Sequence, residues 1–289
     1  MKTVVILGAS GQLGTDLTDN LSQQSSITTI GLNRADFDAL DSELSPSIKA
    51  HSHADYFINC VAHTNVEACE DTQELADQLN NQFAKKVADF CRENSIVLFH
   101  ISTDYVFDGK HPTPVTEDHS PLPINEYGRS KLRGENAVRD ALEKHFIFRV
   151  SSLFGRAGAS GKGGNFVETM IRLASEGKSL KVVSDQVMSP THTIDAAKAI
   201  THFITHDIED YGTYHCCNSD PTSWYDFART IFEKTNIDAN LTPVPAETYK
   251  TKAKRPQYSV LDITKLSRYY QMPTWQQALD DYLDIKGYR

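Results

Sequence analysis

The sequence lacks any long run of apolar residues. The opening segment MKTVVILGAS is apolar for only a few residues before a glycine, and no later stretch is longer. A membrane-crossing helix needs about 20 apolar residues, and a signal peptide needs a longer apolar core followed by a cleavage pattern of small residues. The sequence therefore predicts neither a membrane span nor a signal peptide.

Cysteine is scarce, with five residues in 289. An odd count without metal-type spacing is typical of reduced thiols in a cytoplasmic protein. Cys216 and Cys217 are adjacent, and neighbours in a strand point to opposite faces, so we expect neither a disulfide nor a zinc site there. The five are Cys60, Cys69, Cys91, Cys216 and Cys217.

Positive charge is also in deficit, with 29 Lys and Arg against 38 Asp and Glu and a net charge of -9. Proteins that bind nucleic acid broadly are usually basic, so the composition argues against such a partner. It does not exclude a phosphorylated small molecule, because a local pocket can be basic in an acidic protein. The length suits one large α/β unit or two modest domains.

Strand and helix patterns alternate along the first half of the chain. Short apolar or β-branched runs predict strands, and apolar residues at helical spacing predict the helices between them. This alternation predicts an α/β fold with a parallel sheet and helices on both faces. The predicted strands are Thr3–Leu7, Ile27–Leu32, Tyr56–Val61, Ile96–Ile101 and Phe146–Val150, and the helices are Gln12–Gln23, Glu74–Glu93 and Tyr127–His145.

The pattern changes after Ser151. Gly155–Gly164 holds five glycines in ten residues, which predicts a flexible loop and a candidate substrate lid. We expect residues 1–151 to form the cofactor domain and 152–289 a mainly substrate-binding region, with some segments returning to the sheet. The predicted elements are helices Asn165–Glu176, Ile194–Thr205, Ser223–Thr235 and Thr274–Ile285, strands Leu180–Val183 and Tyr214–Cys217, and a loop at Pro243–Pro256.

Three glycines follow the first predicted strand. Gly8, Gly11 and Gly14 form G-x-x-G-x-x-G between that strand and a helix. Glycine lets the backbone turn tightly and approach a pyrophosphate, whose charge then meets the N-terminal amides of the helix. The motif in this context predicts a dinucleotide-binding turn. The alternative is a tight turn without a ligand.

The end of the second strand favours NADPH. A strict NAD enzyme commonly has Asp or Glu there, whereas this chain reads Gly31–Arg34 (GLNR), with no acid until Asp36. Arg34 can accept a 2′-phosphate, so NADPH is favoured and NADH is the alternative. Otherwise Arg34 is a solvated loop residue. Asp38 and Ala39 lie where a nearby loop would touch adenine.

Tyr127 and Lys131 lie one turn apart on one face of a predicted helix. We expect the lysine to lower the pKa of the tyrosine from its usual value of about 10 and to hold the nicotinamide ribose. The tyrosine can then protonate a carbonyl oxygen as hydride reaches the carbon. Thr103, at the end of the fourth strand, can bond the same oxygen. The alternative is a surface Tyr–Lys pair and a helix-capping threonine.

Seven blocks spread over nearly the whole chain form a recognisable set. They are Gly8–Gly14, Asn59–Thr64 (NCVAHT), Ser102–Phe107 (STDYVF), Tyr127–Glu135 (YGRSKLRGE), Phe148–Ser151 (FRVS), Asn165-Phe166 and Arg255-Pro256. Together they resemble the dTDP-4-dehydrorhamnose reductase family of the extended short-chain dehydrogenases/reductases. The resemblance implies a Rossmann-type doubly wound parallel sheet with a smaller C-terminal substrate-binding region. It also implies reduction of a 4-keto-6-deoxy sugar nucleotide, with dTDP-4-dehydro-L-rhamnose reduced to dTDP-L-rhamnose.

The resemblance also implies residue roles. Thr103, Tyr127 and Lys131 would be catalytic, and Asn165 and Arg255 would face the phosphates of the nucleotide, although Arg255 could also be a solvated tail residue. The related dehydratases place a glutamate acid where this chain has Tyr105, which disfavours dehydration. The implied cofactor contacts are Gly11, Gln12, Leu13, Asp38, Ala39, Ala62, His63 and Thr64, and the substrate contacts are Thr103, Asp104, Tyr105, Ser152, Asn165 and Arg255.

Two positions depart from the family pattern. Well-studied members have a tryptophan against the sugar where this chain has Ser152, so we expect an altered sugar pocket. Metal-bridged dimeric members carry a glutamate near the position of Ile194. Isoleucine cannot coordinate magnesium, so we predict no structural metal and a monomer rather than a metal-bridged homodimer, although Asp16 could supply one carboxylate.

Two other functions stay open. One is a different sugar-nucleotide enzyme of the same fold, either an epimerase or a reductase of another 4-keto sugar. His63 is a tempting acid or base, but in the family pattern it lies along the cofactor. The other is a cofactor-binding subunit without turnover, resembling the regulatory subunit of methionine adenosyltransferase. The intact Thr103, Tyr127 and Lys131 favour chemistry.

Overall fold

The computed structural model describes residues 1–158 and 164–289, and twelve strands lie within these ranges. The predicted strand Ile27–Leu32 is found with the same bounds. The strands are β1 (Lys2–Leu7), β2 (Ile27–Leu32), β3 (Tyr56–Asn59), β4 (Val97–Thr103), β5 (His145–Val150), β6 (Leu153–Phe154), β7 (Leu180–Val183), β8 (Val187–Met188), β9 (Thr191–His192), β10 (Gly212–His215), β11 (Thr222–Ser223) and β12 (Leu241–Val244).

Ten α-helices lie within the same described ranges. None of them is long and apolar enough to cross a membrane. The helices are α1 (Gln12–Ser22), α2 (Pro46–Lys49), α3 (Val66–Asp71), α4 (Gln73–Asp77), α5 (Phe83–Glu93), α6 (Glu126–Ala141), α7 (Phe166–Ser175), α8 (Thr193–Thr205), α9 (Trp224–Thr235) and α10 (Trp275–Lys286).

Six parallel strands form the central sheet in the order β10-β5-β4-β3-β1-β2. The chain leaves β1 to build β2 on one side and then returns to build β3 on the other. The predicted doubly wound parallel sheet is therefore confirmed. In such sheets ligands bind at the carboxyl ends of the strands, beside the strand where the order reverses.

Both faces of the sheet are buried, as β1 illustrates. Val4 and Ile6 pack in one apolar cluster with α1 and α8, whereas Val5 and Leu7 pack in a second cluster with α5 and α6. Successive side chains of a strand alternate between faces, and a parallel sheet covered on both sides needs apolar residues at every position. The run TVVIL meets that need.

The C-terminal part has a core of its own, built by α7, α9, α10 and β7. Phe154 contacts both Phe227 and Tyr282 at its centre. The short strands pair as β6 with β9, β7 with β12 and β8 with β11. The strand β10 instead pairs with β5, and α8 packs on the central sheet. Segments beyond Ser151 therefore contribute to the sheet predicted for the cofactor domain. The boundary at 151 stays a prediction.

One predicted helix is interrupted. The expected helix Glu74–Glu93 divides into α4 and α5 around a π-helical turn, Gln78–Gln82. The wider turn projects the backbone of Asn80 toward α6, where a Cβ at Gly134 would lie 2.0 Å from its carbonyl oxygen. Apolar spacing continues through the turn, so periodicity cannot reveal it.

Three other predictions need correction or limits. The segment Pro243–Pro256 is not all loop, because β12 includes Pro243 and pairs with β7 in a two-stranded ladder, where an edge tolerates proline. The strand predicted at Tyr214–Cys217 ends at His215, and all five cysteines are free thiols. Part of the predicted lid, residues 159–163, lies outside the described residues.

Candidate active site

The glycine turn, defined as Gly8–Gly14, connects β1 to α1 at the carboxyl edge of the sheet. Gly8 has a φ of +84°, a conformation that glycine adopts at little cost. Its N–H donates to the carbonyl oxygen of Leu32 at 2.8 Å, which ties the turn to the end of β2. A Cβ at Gly14 would lie 2.2 Å from the carbonyl oxygen of Gly8, so only glycine lets α1 pack this close.

The start of α1 fits a phosphate. Gly11 is its N-cap and has no side chain to cap the first N–H groups, which favour an anion at a helix N-terminus. Beside it, Gln12 has a buried Oε1 atom without a hydrogen-bond partner within the described part of the chain, and this acceptor suits a hydroxyl of a dinucleotide rather than its phosphates. Leu13 packs in the core beneath the turn. The glycine turn therefore suits the pyrophosphate of a dinucleotide.

The acid nearest the end of β2 is engaged in its own turn. Asp36 Oδ2 accepts the N–H of Asn33 at 2.8 Å. Arg34 extends from this turn and is exposed, as is Asp38, while Ala39 is half-buried. An exposed guanidinium beside an engaged carboxylate suits a 2′-phosphate better than a ribose hydroxyl pair.

The loop after β3 is clamped by a side chain that sequence reasoning missed. Asn80 Oδ1 accepts the N–H of His63 at 2.7 Å, and its Nδ2 donates to the His63 carbonyl at 3.2 Å and to Ser130 Oγ at 2.9 Å. The clamp joins the segment Ala62–Thr64 to α6. The imidazole of His63 lies 3.4 Å from the hydroxyl of Thr72.

The N-terminus of α6 lies against the β4 turn, which we define as Ser102–Val106. Asn125 caps the helix by accepting the N–H of Gly128 at 2.8 Å. A Cβ at Gly128 would lie 2.1 Å from the carbonyl oxygen of Tyr105, so glycine permits this contact. The result is that the Thr103 hydroxyl lies close enough to the phenol of Tyr127 to lower its pKa. The structure thus brings two of the three predicted catalytic residues together.

Asp104 is engaged within the protein. Thr103 Oγ1 donates to its Oδ1 at 3.0 Å, and Ser151 Oγ donates to its Oδ2 at 2.9 Å. Burial raises the pKa of Asp104 to about 6, while hydrogen bonds with Ser259, Ser151 and Thr103 lower it. These contacts orient Thr103, and a direct contact of Asp104 with substrate stays a prediction.

Lys131 is buried, and its Nζ donates to the carbonyl of Ile101 at 2.6 Å. Burial lowers the pKa of Lys131 to about 8, and the charge of Glu135 raises it. The expectation that the pKa of Tyr127 lies below its usual value is wrong for this arrangement. Burial of the phenol raises the pKa of Tyr127 above its ordinary value, and the hydrogen bond with Thr103 lowers it only in part.

A buried ion pair supports the β4 turn. Glu135 on α6 receives two hydrogen bonds from Arg149 on β5, at 2.9 and 2.7 Å, and one from Ser102 Oγ at 2.5 Å. Burial raises the pKa of Glu135, but Arg149 and Arg139 outweigh it and lower this pKa to about 2. The sequence signal for this pair was the single charge, Arg149, within the strand pattern HFIFRV.

Two predicted substrate residues lie beside Tyr127. The ring of Tyr105 meets that of Tyr127 edge-on, with centroids 5.8 Å apart. Burial raises the pKa of Tyr105, and the nearby guanidinium of Arg255 lowers it in part. Arg255 donates to Glu67 on α3 at 2.7 Å and is half-buried, so it is not a solvated tail residue. Ser152 has a φ of +46°, a strained value for serine.

Asn165 is placed differently from the expectation. Its Oδ1 caps α7 by accepting the N–H of Glu168 at 3.1 Å, and its Nδ2 donates to the Gly155 carbonyl and the Tyr282 hydroxyl, both at 3.0 Å. The amide therefore has its hydrogen-bonding groups engaged within the fold. A phosphate contact from Asn165 stays a prediction.

The carboxylate considered for a metal has other partners. Asp16 is buried, and it accepts hydrogen bonds from Arg156 Nη2 at 2.8 Å and from Thr193 Oγ1 at 2.5 Å. The neighbouring Ile194 offers no oxygen ligand. Among residues 1–158 and 164–289, no group of three or more His, Cys, Asp or Glu side chains is placed to hold a metal ion.

Comparison with known proteins relates this chain to one family. Residues 1–287 match the model described as RmlD substrate binding domain. The chain is 36% identical over 288 residues to the spore coat polysaccharide biosynthesis protein SpsK of Bacillus subtilis, covering 99% of each. It is 33% identical over 286 residues to dTDP-4-dehydrorhamnose reductase of Salmonella typhimurium, covering 94% of each.

A solved structure agrees. The dTDP-4-dehydrorhamnose reductase of Bacillus anthracis, in complex with NADP, superimposes with a TM-score of 0.89 at 35% identity, covering 99% of this chain and 100% of that one. The extent of these matches confirms the resemblance inferred from the sequence blocks. The chain belongs to the dTDP-4-dehydrorhamnose reductase family.

Proposed function

We propose that this protein uses NADPH to reduce the ketone of a 4-keto-6-deoxy sugar nucleotide, and that dTDP-4-dehydro-L-rhamnose is its substrate. The observation that carries the proposal is the closeness of the Thr103 hydroxyl to the phenol of Tyr127, whose pKa it lowers, at the sheet edge where the glycine turn also lies. Relatives named dTDP-4-dehydrorhamnose reductase support the same reaction.

We assign the cofactor to the glycine turn and the segment after β2. The uncapped start of α1 takes the pyrophosphate, and Arg34 takes the 2′-phosphate, with NADH as the weaker alternative. The NADP-bound relative supports this choice. When bound, NADPH supplies the hydride that adds to the ketone carbon. The other proposed contacts are Gln12, Leu13, Asp38, Ala39, Ala62, His63, Thr64, Tyr127 and Lys131.

Tyr127 is the proposed proton donor. Its raised pKa keeps the phenol protonated at neutral pH, as a group must be to give its proton to the ketone oxygen. Thr103 is placed to bond the same oxygen, because its hydroxyl already contacts that of Tyr127. The transfer leaves a tyrosinate, and the ammonium of Lys131, one helical turn away, would stabilise that anion.

We propose that Tyr105 and Arg255 contact the substrate. The ring of Tyr105 flanks Tyr127, so it would lie beside the sugar that Tyr127 protonates. Arg255 would exchange its bond to Glu67 for the diphosphate, because a diphosphate offers more charge to a guanidinium than one carboxylate does. Ser152 leaves a sugar pocket without the tryptophan of other members, so a related 4-keto sugar is the alternative substrate.

The test is reduction of dTDP-4-dehydro-L-rhamnose, followed by the loss of NADPH absorbance. Tyr127→Phe should lower turnover by roughly a hundredfold or more, the usual scale for a lost general acid, and leave cofactor affinity nearly unchanged. Tyr56→Phe is the matched control, because it removes a phenol oxygen at the opposite end of β3, outside the proposed site, and should leave turnover unchanged. Full turnover in Tyr127→Phe would refute the assignment.

We also propose a cytoplasmic protein without a nucleic-acid partner. Five free thiols support a reducing compartment, since disulfides are typical of oxidising ones. The net charge of -9 supports the absence of broad nucleic-acid binding. Size-exclusion chromatography in the presence of DNA would test the second point, because a complex would elute earlier than the protein alone.

A further inference from the structure

Three buried polar side chains form a chain behind the site, from β3 through β4 to α6. Asn59 Nδ2 lies 3.3 Å from His100 Nδ1, and His100 Nε2 lies 3.5 Å from Lys131 Nζ. Each of the three residues is at most 1% exposed. A histidine in the middle of an apolar strand needs such partners, because an unpaired polar group in the core is costly.

The orientation of Asn59 determines the tautomer of His100. Asn59 Oδ1 accepts the N–H of Val61 at 3.1 Å, so a flipped amide would bring two donors together. The NH₂ group of Asn59 therefore faces His100 and donates to Nδ1, which must carry a lone pair. Burial holds the pKa of His100 far below its ordinary value, so the ring is neutral and carries its proton on Nε2.

This tautomer presents a donor to Lys131. An ammonium has three N–H groups and no lone pair. One of them donates to the carbonyl of Ile101 at 2.6 Å. The other two cannot donate to His100 Nε2, because that nitrogen carries a proton directed at the ammonium. The remaining N–H groups must point away from His100.

We propose that His100 is a positioning residue whose Nε2–H group denies Lys131 an inward hydrogen bond and so directs the ammonium toward Tyr127 and the nicotinamide ribose. The inference rests on the proposed function, which assigns Lys131 to that reaction. It follows that an acceptor placed at Nε2 would draw the ammonium inward. Asn59 acts one step further back, by fixing the tautomer.

Other groups around Lys131 shift its pKa in opposite directions. Glu135 of the same helix and the Cys60 thiol after β3 raise the pKa of Lys131, and burial lowers it to about 8. None of them lies between His100 Nε2 and Lys131 Nζ, which are in direct contact. The charges of Lys131, Glu135, His145 and Arg139 act on His100, whereas those of Glu135 and Cys60 act on Lys131.

The first test observes the tautomer itself and needs neither substrate nor cofactor. In the full chain labelled with nitrogen-15 histidine, two-bond correlations between ring protons and nitrogens distinguish the two neutral tautomers. We expect His100 to carry its proton on Nε2 between about pH 6 and about pH 8, where an ordinary histidine titrates. A proton on Nδ1, or a charged ring in this range, would overturn the proposal.

The second test replaces the donor by an acceptor. In His100→Gln the side-chain oxygen can accept from the ammonium, so the pKa of Lys131, followed by the carbon-13 shift of its Cε, should rise by roughly one unit. The KM for NADPH should rise roughly fivefold, on the scale of one weakened hydrogen bond. An unchanged Lys131 pKa and KM would overturn the proposal.

Two further variants separate positioning from stability. His100→Phe removes the donor without adding an acceptor, so it should raise the pKa of Lys131 less than His100→Gln does. His145→Gln, at the start of β5, changes a second buried histidine that does not contact Lys131 and should leave that pKa unchanged. If the variants only lose packing, all three should have lower thermal stability, and the pKa of Lys131 should not follow the order His100→Gln, His100→Phe, His145→Gln. A chain that shows the tautomer and the ranking but reduces no keto sugar would refute only the proposed function.

Discussion

The glycine turn and the β4 turn lie at the same edge of the sheet and are built in opposite ways. In the glycine turn the contacts are made by backbone, and its structure depends on missing side chains. A Cβ atom added at Gly14 would lie only 2.2 Å from the carbonyl oxygen of Gly8. In the β4 turn the contacts are made by side chains, from Ser102 to Glu135 and from Thr103 to Asp104.

The two constructions suit two tasks. A pyrophosphate has the same shape and charge in every dinucleotide, so backbone amides at a helix start are sufficient to bind it. Proton transfer needs a phenol with a set orientation and pKa, which the buried side chains around Tyr127 provide. Substitutions in the first turn should therefore affect binding, and substitutions around the second should affect stability and chemistry.

The largest effect is expected from Glu135→Gln, beneath the β4 turn. The change leaves Arg149 buried without its carboxylate, and removing one partner of a buried pair costs about 3 to 5 kcal/mol. Urea unfolding would measure this loss. Glu176→Gln, which alters the exposed pair with Arg172, is the control and should change little. Equal losses in both variants would contradict the role of burial.

The same pair predicts a pH dependence. Because Glu135 has its pKa lowered to about 2 by Arg149, against an unfolded value of about 4.3, its stabilisation is present above the unfolded pKa and is lost as pH falls toward 2. The difference in unfolding free energy between the native protein and Glu135→Gln should therefore shrink on acidification. A constant difference from pH 6 to about pH 2 would show that Glu135 is not charged in the fold.

The next effect separates folding from binding in the glycine turn. Gly14→Ala places a methyl group 2.2 Å from the Gly8 carbonyl, so it should lower the unfolding free energy by about 1 to 3 kcal/mol and abolish NADPH binding. Gly11→Ala meets the same oxygen at 3.2 Å with an ordinary φ of -75°, so the fold should persist. Its affinity for NADPH should still fall roughly tenfold, because the methyl group enters the space of the pyrophosphate. Tight binding by either variant would refute this assignment.

The sequence predicts the glycine turn better than the β4 turn. Strand, glycines and helix are contiguous, so their order alone indicates the structure, and β2 was located to the residue. The neighbours of Tyr127 come from α6, from the β4 turn and, through Asn80, from the π-helical turn. These segments are far apart in the sequence, so no local sequence pattern predicts that they pack together. The pKa of Tyr127 was predicted in the wrong direction because spacing shows that Lys131 is near but not that the fold buries the phenol.

A smaller effect should distinguish the two cofactors. Arg34→Ala removes an exposed guanidinium assigned to the 2′-phosphate, and the loss of a charged hydrogen bond in solvent should weaken NADPH binding roughly tenfold. NADH lacks that phosphate, so its affinity should not change. Fluorescence titration of each cofactor would measure both, with Arg34→Lys as a control that keeps the charge. Equal weakening of both cofactors would show that Arg34 does not read the phosphate.

Adding or removing magnesium should have no effect on sedimentation, which makes it the smallest effect in this series. Asp16 lies on α1, two residues beyond the glycine turn. Arg156 already supplies the positive charge that a bridging cation would bring, while Thr193 donates to its second oxygen. A hard cation needs about six oxygen ligands, and Ile194 adds none. We therefore propose a monomer whose sedimentation is the same with magnesium and with chelator. Arg156→Ala would leave Asp16 and Asp19 without their shared partner, so any metal response should appear first in that variant. A native dimer that separates only when the metal is stripped would contradict both statements.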